Sequence, residues 1–304
     1  MYVVDMHCDS LLTVSEDRGL ISSYNFSNKY PHLQFVAEFC MRGNEDAYTR
    51  RRRLLRMLDI YLYECQRLGL EKIKSVRDLN SVVEAGKSAA LLSVEGGGGL
   101  FENSDELTTL RASGLLVLGM AWDDNELTSS AWTECDTGLT EEGKRLCERA
   151  LELGIILDVS HLSDKAFYDT LEYYPAPVLA THSNFRDVCK SKRNLTRDMA
   201  KMIAERGGVI GINIYPPFLS DKDTATLDDI YRHVEYGLEA VGENHLGFGF
   251  DIDGTSGKYP LGINTEESIH EQVIDFLLSK YPQKTVEKIA GENVIEFLQN
   301  NIMF

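Results

Sequence analysis

A unit recurs along this chain: a short, continuously apolar run, then a polar loop, then an amphipathic stretch. The runs fall at residues 2–6, 34–39, 89–94, 114–121, 155–159, 178–180, 209–214 and 246–250. Strands without polar alternation are buried on both faces, as in a parallel sheet covered by helices. Helical composition fills most of the intervals, at 45–68, 140–153, 164–173, 196–206 and 227–241, and finishes the chain at 268–280 and 286–299. Gly69, Gly154, Gly207 and Gly242 stand where four of these stretches should end. Alternation repeated eight times predicts a closed (β/α)8 TIM barrel, with an open doubly wound sheet as the alternative that periodicity leaves standing. The 304 residues suit a single barrel domain, 1–304, with a C-terminal helix. The second unit is the weakest: residues 10–32 show little pattern and are read as an extended loop over the barrel mouth.

Charge narrows the partners. With 31 Lys and Arg against 48 Asp and Glu, the net charge is -17. Such a surface repels phosphate backbones and anionic lipid, so neither nucleic acid nor membrane is an expected partner. The first residues lack the basic and apolar regions of a signal peptide, and no apolar stretch is long enough to span a bilayer. A cytoplasmic protein is expected. Its six cysteines (Cys8, Cys40, Cys65, Cys135, Cys147 and Cys189) form no C-x-x-C pair and are expected to be reduced.

Barrel active sites assemble at the C-terminal ends of the strands, so the residues that end each run matter most. The first run ends in His7-Cys8-Asp9. Residues two apart share a face of a strand, so His7 and Asp9 can face the axis together while Cys8 turns away. Imidazole with carboxylate suits zinc or another borderline metal, although an H-x-D triplet alone is weak. The third run ends in Glu95 and four glycines. A buried acid there needs a partner or a cation, and the glycines allow close backbone approach. The plainer explanation is a flexible loop; a phosphate-binding loop fails because no Lys-Ser/Thr follows. His161 and His182 lie just past the fifth and sixth runs. Each alone would be an ordinary core histidine, but two at equivalent positions facing His7, Asp9 and Glu95 form a pattern. Asp251, past the eighth run, stands where a base could reach the barrel centre; Asp253 better suits the Asp-Gly turn. His7, Asp9, Glu95, His161 and His182 are too many ligands for one catalytic zinc, and they suit two ions bridged by Glu95.

With these motifs in order, the chain resembles the renal (membrane) dipeptidase family of zinc peptidases. The resemblance runs from Asp5-Met6-His7-Cys8-Asp9 to Gly291-Glu292-Asn293, through Val94-Glu95-Gly96-Gly97, Asp158-Val159-Ser160-His161, Thr181-His182-Ser183, Arg193-Asn194, Gly208-Val209, Asn213 and Gly249 to Gly254. It implies a binuclear centre of two zinc ions (Zn2+): His7 and Asp9 on one, His161 and His182 on the other, Glu95 bridging. It implies a small dipeptide substrate, L-D dipeptides included, with Arg193 gripping the C-terminal carboxylate. Asp251 would relay a proton to the leaving amine while a hydroxide between the ions attacks. A homodimer also follows from the resemblance alone. Two features depart from the pattern. Trp122 takes the place of a histidine that relatives use near the oxyanion and substrate; an indole donates one hydrogen bond and is never a cation. Export and lipid-anchor signals are missing, which points to a soluble, bacterial-type member. The rivals are a binuclear hydrolase of a lactone, phosphoester or cyclic amide, and a barrel that kept its fold but binds without catalysis. The first usually bridges its metals with a carbamylated lysine, and no lysine ends the relevant strand. The second gains nothing from five buried ligands.

Overall fold

Among the described residues, nine strands pair side by side in one parallel sheet, and eight of them close on themselves. In this computed structural model residues 1–11, 29–39, 46–99 and 104–303 are described. The strands are β1 (Val3–Asp5), β2 (His32–Phe39), β3 (Glu71–Ile73), β4 (Ala89–Glu95), β5 (Leu115–Gly119), β6 (Ile156–Asp158), β7 (Leu179–Ala180), β8 (Val209–Ile212) and β9 (Leu246–Phe248). Neighbours run β1, β2, β4, β5, β6, β7, β8, β9 and back to β1. The protein is therefore a (β/α)8 barrel, and each expected apolar run overlaps one strand of the ring. The ninth, β3, was not anticipated. It pairs with residues 89–91 of β4, on the edge that β5 takes at 92–94. Three residues that begin with an exposed Glu71 carry no readable period.

The helices are α1 (Ala47–Leu68), α2 (Val76–Ala85), α3 (Leu107–Ser113), α4 (Glu141–Leu153), α5 (Asp164–Tyr173), α6 (Arg197–Glu205), α7 (Leu227–Val241) and α8 (Ile269–Leu278). Hydroxyl side chains start the helices that follow β5, β6 and β7. Thr140, Ser163 and Thr196 each accept the N–H three residues on and so satisfy an otherwise orphaned donor. The unanticipated α2 has the same signal, with Ser75 capping the Asp78 N–H and a left-handed Gly86 ending the helix.

Two boundaries correct the sequence reading. Strand β2 begins at His32, before the expected start at Gln34, because His32 and Leu33 are buried and extend it. The last helix is not continuous: Gln283–Glu287 passes through a π turn, Lys288–Glu292, into α9 (Asn293–Asn301). The widened turn lets Gly291 lie against β1, where a Cβ would stand 2.2 Å from the Tyr2 carbonyl oxygen. The expected mouth loop lies, from 12 to 28, outside the described residues, as do Cys40 and Glu45.

Apolar side chains form two layers. Val4, Met6, Leu33, Phe35, Leu91 and Val209 fill the barrel, with Val294, Phe297 and Leu298 of α9 packed among them. Val3, Val36, Leu92, Val94 and Leu157 face the helices, against Leu54, Met57 and Leu146. Each fully buried large side chain contributes roughly 1.5–3 kcal/mol. The parallel strands thus hold all their C-terminal ends at one mouth. No described helix is long and apolar enough to cross a membrane.

Candidate metal centre

The residues singled out from strand ends meet at that mouth. His7 and Asp9 follow β1, Glu95 ends β4, Trp122 follows β5, His161 follows β6, His182 follows β7 and Asp251 follows β9. Arg193 comes from the loop between β7 and α6. Cys8 joins the outer apolar layer, on the opposite side from Val4 and Met6, so the alternation of β1 shifts after the strand ends at Asp5 and His7 and Asp9 turn into the mouth. His7, Asp9, Glu95, His161, His182, Arg193 and Asp251 are all buried.

Glu95 is the hub. Its Oε1 lies 2.7 Å from His161 Nε2 and 3.2 Å from His182 Nε2, and its Oε2 lies 3.6 Å from His7 Nε2. His161 and His182 bring their Nε2 atoms within 2.9 Å of each other, and the rings of His7 and His182 stack at 3.7 Å. Potential ligand atoms fall into two groups within 4.8 Å: His7, Glu95 and His182, and His7, Asp9 and Asp251. Asp251 thus sits beside the H-x-D pair as well as facing the barrel centre.

The backbone is strained here. His161, Asp251 and Asp253 hold φ of 68°, 62° and 70°, a left-handed conformation that costs a non-glycine residue of order 1 kcal/mol or more. Asp253 accepts the Ser10 hydroxyl, so both aspartates of the Asp251-Ile252-Asp253 stretch adopt turn geometry. The glycines after Glu95 serve close approach: a Cβ on Gly98 would stand 2.3 Å from Asn125.

Charges in this cluster shift one another. Burial opposes a charge on His7, yet Glu95 and Asp9 raise its imidazole well above the ordinary range. Burial likewise opposes the Glu95 carboxylate, but His7 and His161 hold it well below its usual value. Burial and the Glu95 charge push Asp9 up, and burial with the Asp9 charge pushes Asp251 up to about 8. His161 is pushed down to about 4 by burial and by Arg193.

A divalent cation fits this donor set. Three carboxylates and three imidazoles converge in a buried site, and His7 Nε2 and Asp9 Oδ1 have no hydrogen-bond partner. Orphaned buried polar atoms are costly, and a cation that displaces the His7 proton would offset them. Arg193 is 3% exposed and so is no solvated surface charge. Its Nη1 donates to Ser183 Oγ (2.9 Å), its Nη2 to the His182 carbonyl (3.0 Å), and its Nε has no partner. Trp122 is half-buried beside Phe39 and His161, with ring centroids at 5.2 and 6.3 Å.

Comparison with known proteins decides the family. A family model described as membrane dipeptidase, peptidase family M19, matches residues 1–301. The chain belongs to that family. It is a metal-dependent dipeptidase by descent. An uncharacterized protein in the pqqA 5′ region of Klebsiella pneumoniae is 31% identical over 238 residues, covering 74% of this chain and 87% of its own. Among solved structures, dipeptidase AC, a metallo peptidase of the same family, superposes with a TM-score of 0.85 at 24% identity, covering 99% of both chains. A Rhodobacter sphaeroides metallo peptidase liganded with a phosphinate mimic of L-Ala-D-Ala gives the same TM-score and identity, covering 100% of this chain and 99% of its own.

Strand-end reasoning missed four residues that shape the dipeptidase's mouth. Thr181, Ser183 and Asn213 are buried and bonded to His182, Arg193 and Asp251, and the buried Asp158 accepts from Thr181 behind them. Asp158 ends an apolar run just as Glu95 does, so the same argument would have found it. Thr181, Ser183 and Asn213 carry no comparable signal.

Proposed function

We propose that this chain hydrolyses the peptide bond of free dipeptides, L-D dipeptides included, at a centre of two zinc ions. His7 and Asp9 would hold one ion, His161 and His182 the other, with Glu95 shared. The observation that carries this reading is the convergence of two buried polar atoms without a hydrogen-bond partner, His7 Nε2 and Asp9 Oδ1, beside a carboxylate that three imidazoles approach. When bound, the ions supply Lewis acidity toward the scissile carbonyl and a water acidic enough to attack at neutral pH.

The chain's own residues do the rest. Arg193 is anchored through both Nη atoms and keeps a buried Nε–H to offer, which suits the C-terminal carboxylate of a substrate. Its phenylalanine neighbour, with the Phe218 ring 5.8 Å from Cζ, keeps that guanidinium on an apolar shelf. Asp251, pushed up to about 8 by burial and the Asp9 charge in the absence of a cation, stands beside His7 and Asp9, where it would pass a proton to the leaving amine. Asn213 Nδ2 donates to Asp251 Oδ2 at 3.0 Å and fixes its orientation. Trp122 gives the substrate an apolar wall and a single N–H donor where relatives place an imidazole. The phosphinate mimic bound by the Rhodobacter sphaeroides protein makes L-Ala-D-Ala the first substrate to offer.

The test is a panel of L-L and L-D dipeptides, free and C-terminally amidated, offered to zinc-loaded enzyme with and without chelator. Cleavage of free dipeptides only, lost on chelation, is expected. Two bound ions without dipeptide cleavage would overturn the substrate reading in favour of a lactone or phosphoester. Cleavage of amidated substrates at an undiminished rate would remove Arg193 from its role.

A further inference from the structure

We propose that Asp158 and Thr181 are positioning residues that lock the His182 ring in its Nδ1–H tautomer and so present a bare Nε2 to the metal centre. The inference rests on the reading of His182 as a ligand. It follows from hydrogen-bond polarity, which the geometry leaves only one way to assign.

Asp158 ends β6 and Thr181 follows β7, and both are buried. Asp158 Oδ1 accepts the backbone N–H groups of Ser160 and Thr181, each at 2.9 Å. Its Oδ2 lies 2.5 Å from Thr181 Oγ1. A carboxylate only accepts, so the single hydroxyl proton of Thr181 is committed to Asp158. Thr181 Oγ1 also lies 2.8 Å from His182 Nδ1. With its proton pointing the other way, the hydroxyl can only accept there. His182 Nδ1 therefore carries the hydrogen, and the lone pair is on Nε2, the atom that faces Glu95 Oε1.

The rest of this peptide is held as firmly. The His182 N–H donates to Ser160 Oγ at 3.2 Å, and its carbonyl accepts from Arg193 Nη2 at 3.0 Å. The Thr181 carbonyl oxygen occupies the space beside Gly249, where a Cβ would stand 1.8 Å away. Metal-ligating histidines generally give their second N–H to a carboxylate, carbonyl or water, which fixes the tautomer and raises ligand basicity. Here a hydroxyl stands between carboxylate and imidazole and transmits the polarity. His161 differs: its Nδ1 is buried with no hydrogen-bond partner, while its Nε2 lies 2.7 Å from Glu95 Oε1 and 2.9 Å from the bare His182 Nε2, two acceptors that place its hydrogen on Nε2. The two imidazoles that meet at Glu95 are thus unequal, one with Nε2 already bare and one that must give up its Nε2 hydrogen when an ion arrives.

Asp158→Asn keeps the shape and reverses the relay. The asparagine amide would donate to Thr181 Oγ1, freeing the hydroxyl proton to donate to His182 Nδ1 and driving hydrogen onto Nε2, the wrong-tautomer effect known from hydrolase triads. Long-range proton–nitrogen NMR of metal-free, 15N-histidine-labelled protein reads the tautomer, with the His182 signals assigned by their loss in His182→Gln. Competition with a chromophoric chelator reads zinc affinity. Nδ1–H is expected in wild type and Nε2–H in Asp158→Asn. Zinc affinity should fall about 10–100-fold in Asp158→Asn and Thr181→Val, the usual scale for such supporting bonds, while Thr181→Ser stays within about threefold of wild type. The proposal is overturned if wild-type His182 carries its hydrogen on Nε2, or if Thr181→Val binds zinc as tightly as wild type. Wild-type protein that binds no divalent ion would instead overturn the metal reading itself, and the presentation of Nε2 with it.

Discussion

On the outer side of β1, the Asp5 carboxylate accepts the His7 N–H (3.2 Å), the Phe250 N–H (2.9 Å) and His270 Nε2 (2.8 Å). Beside it, Gln34 Nε2 donates to the Asp5 and Phe35 carbonyls, and its Oε1 meets His32 Nε2 at 3.0 Å. At the mouth, just past the end of the same strand, His7, Asp9 and Glu95 are just as buried, yet His7 Nε2 and Asp9 Oδ1 make no hydrogen bond. Both clusters are made of acids and histidines, and composition does not separate them. Satisfaction of the carboxylate does. The Asp5 carboxylate is bonded at both oxygens and ties β1 to β9 and α8, and what lacks a hydrogen bond around it is imidazole Nδ1. A group left open is held together against its own repulsion and is suited to a cation.

The comparison breaks first at Glu95. Replacing it with Gln removes the shared carboxylate and should lower kcat/KM by at least about 10³-fold, the scale lost with a charge-stabilising group in a hydrolytic site. Metal analysis should show at least one ion fewer per chain, while the outer cluster stays intact. Full activity with two ions would mean the bridge is elsewhere. His270→Ala probes the opposite side. It leaves Asp5 buried without its partner and should cost about 3–5 kcal/mol in a denaturant titration. Its kcat/KM at saturating metal should stay within about tenfold of wild type. A large loss of metal affinity with unchanged stability would show that the two clusters work as one unit.

Removing the ions tests the open cluster directly. Ligand at about a thousand times its Kd stabilises the native state by about 4 kcal/mol, so chelation should lower Tm by a comparable increment in wild type and in His270→Ala. A Tm indifferent to chelator would count against a metal centre. The smallest effect comes from Glu38 on β2, a buried carboxyl with no hydrogen-bond partner. Burial holds its pKa well above the usual range, so the unfolded chain releases a proton that the native state keeps. Its contribution to stability therefore falls as pH rises through the ordinary glutamate range and beyond. Asp5 has the opposite sign. Burial disfavours its charge, but the His270 hydrogen bond and charge outweigh it and lower its pKa. The stability it contributes is present above the ordinary aspartate range and is lost as pH falls through the native value. Glu38→Met should stabilise the protein by about 1–3 kcal/mol at pH 7 and by less at pH 4. Asp5→Asn should cost most at neutral pH and progressively less in acid. Equal effects at both pH values would remove the assigned protonation states.

The eight apolar runs determined a parallel sheet covered by helices, because strands buried on both faces must be apolar throughout, and the pairing of β1 with β9 decided that it closes into a barrel. Strand ends determined where to look for His7, Glu95, His161, His182 and Asp251, since a parallel barrel carries all those ends to one mouth. Arg193 is different: in sequence it stands beside Lys190 and Lys192, and only its family resemblance set it apart, until the fold buried it under Ser183 and the His182 carbonyl. Which acids stay open and which are closed was decided by tertiary structure alone. Asp5 is satisfied by His270, 265 positions away, and Asp158 by a hydroxyl 23 positions away. Hydrogen bonds form between atoms that folding brings within about 3 Å, and a residue's type states what it can donate or accept without stating who will be there.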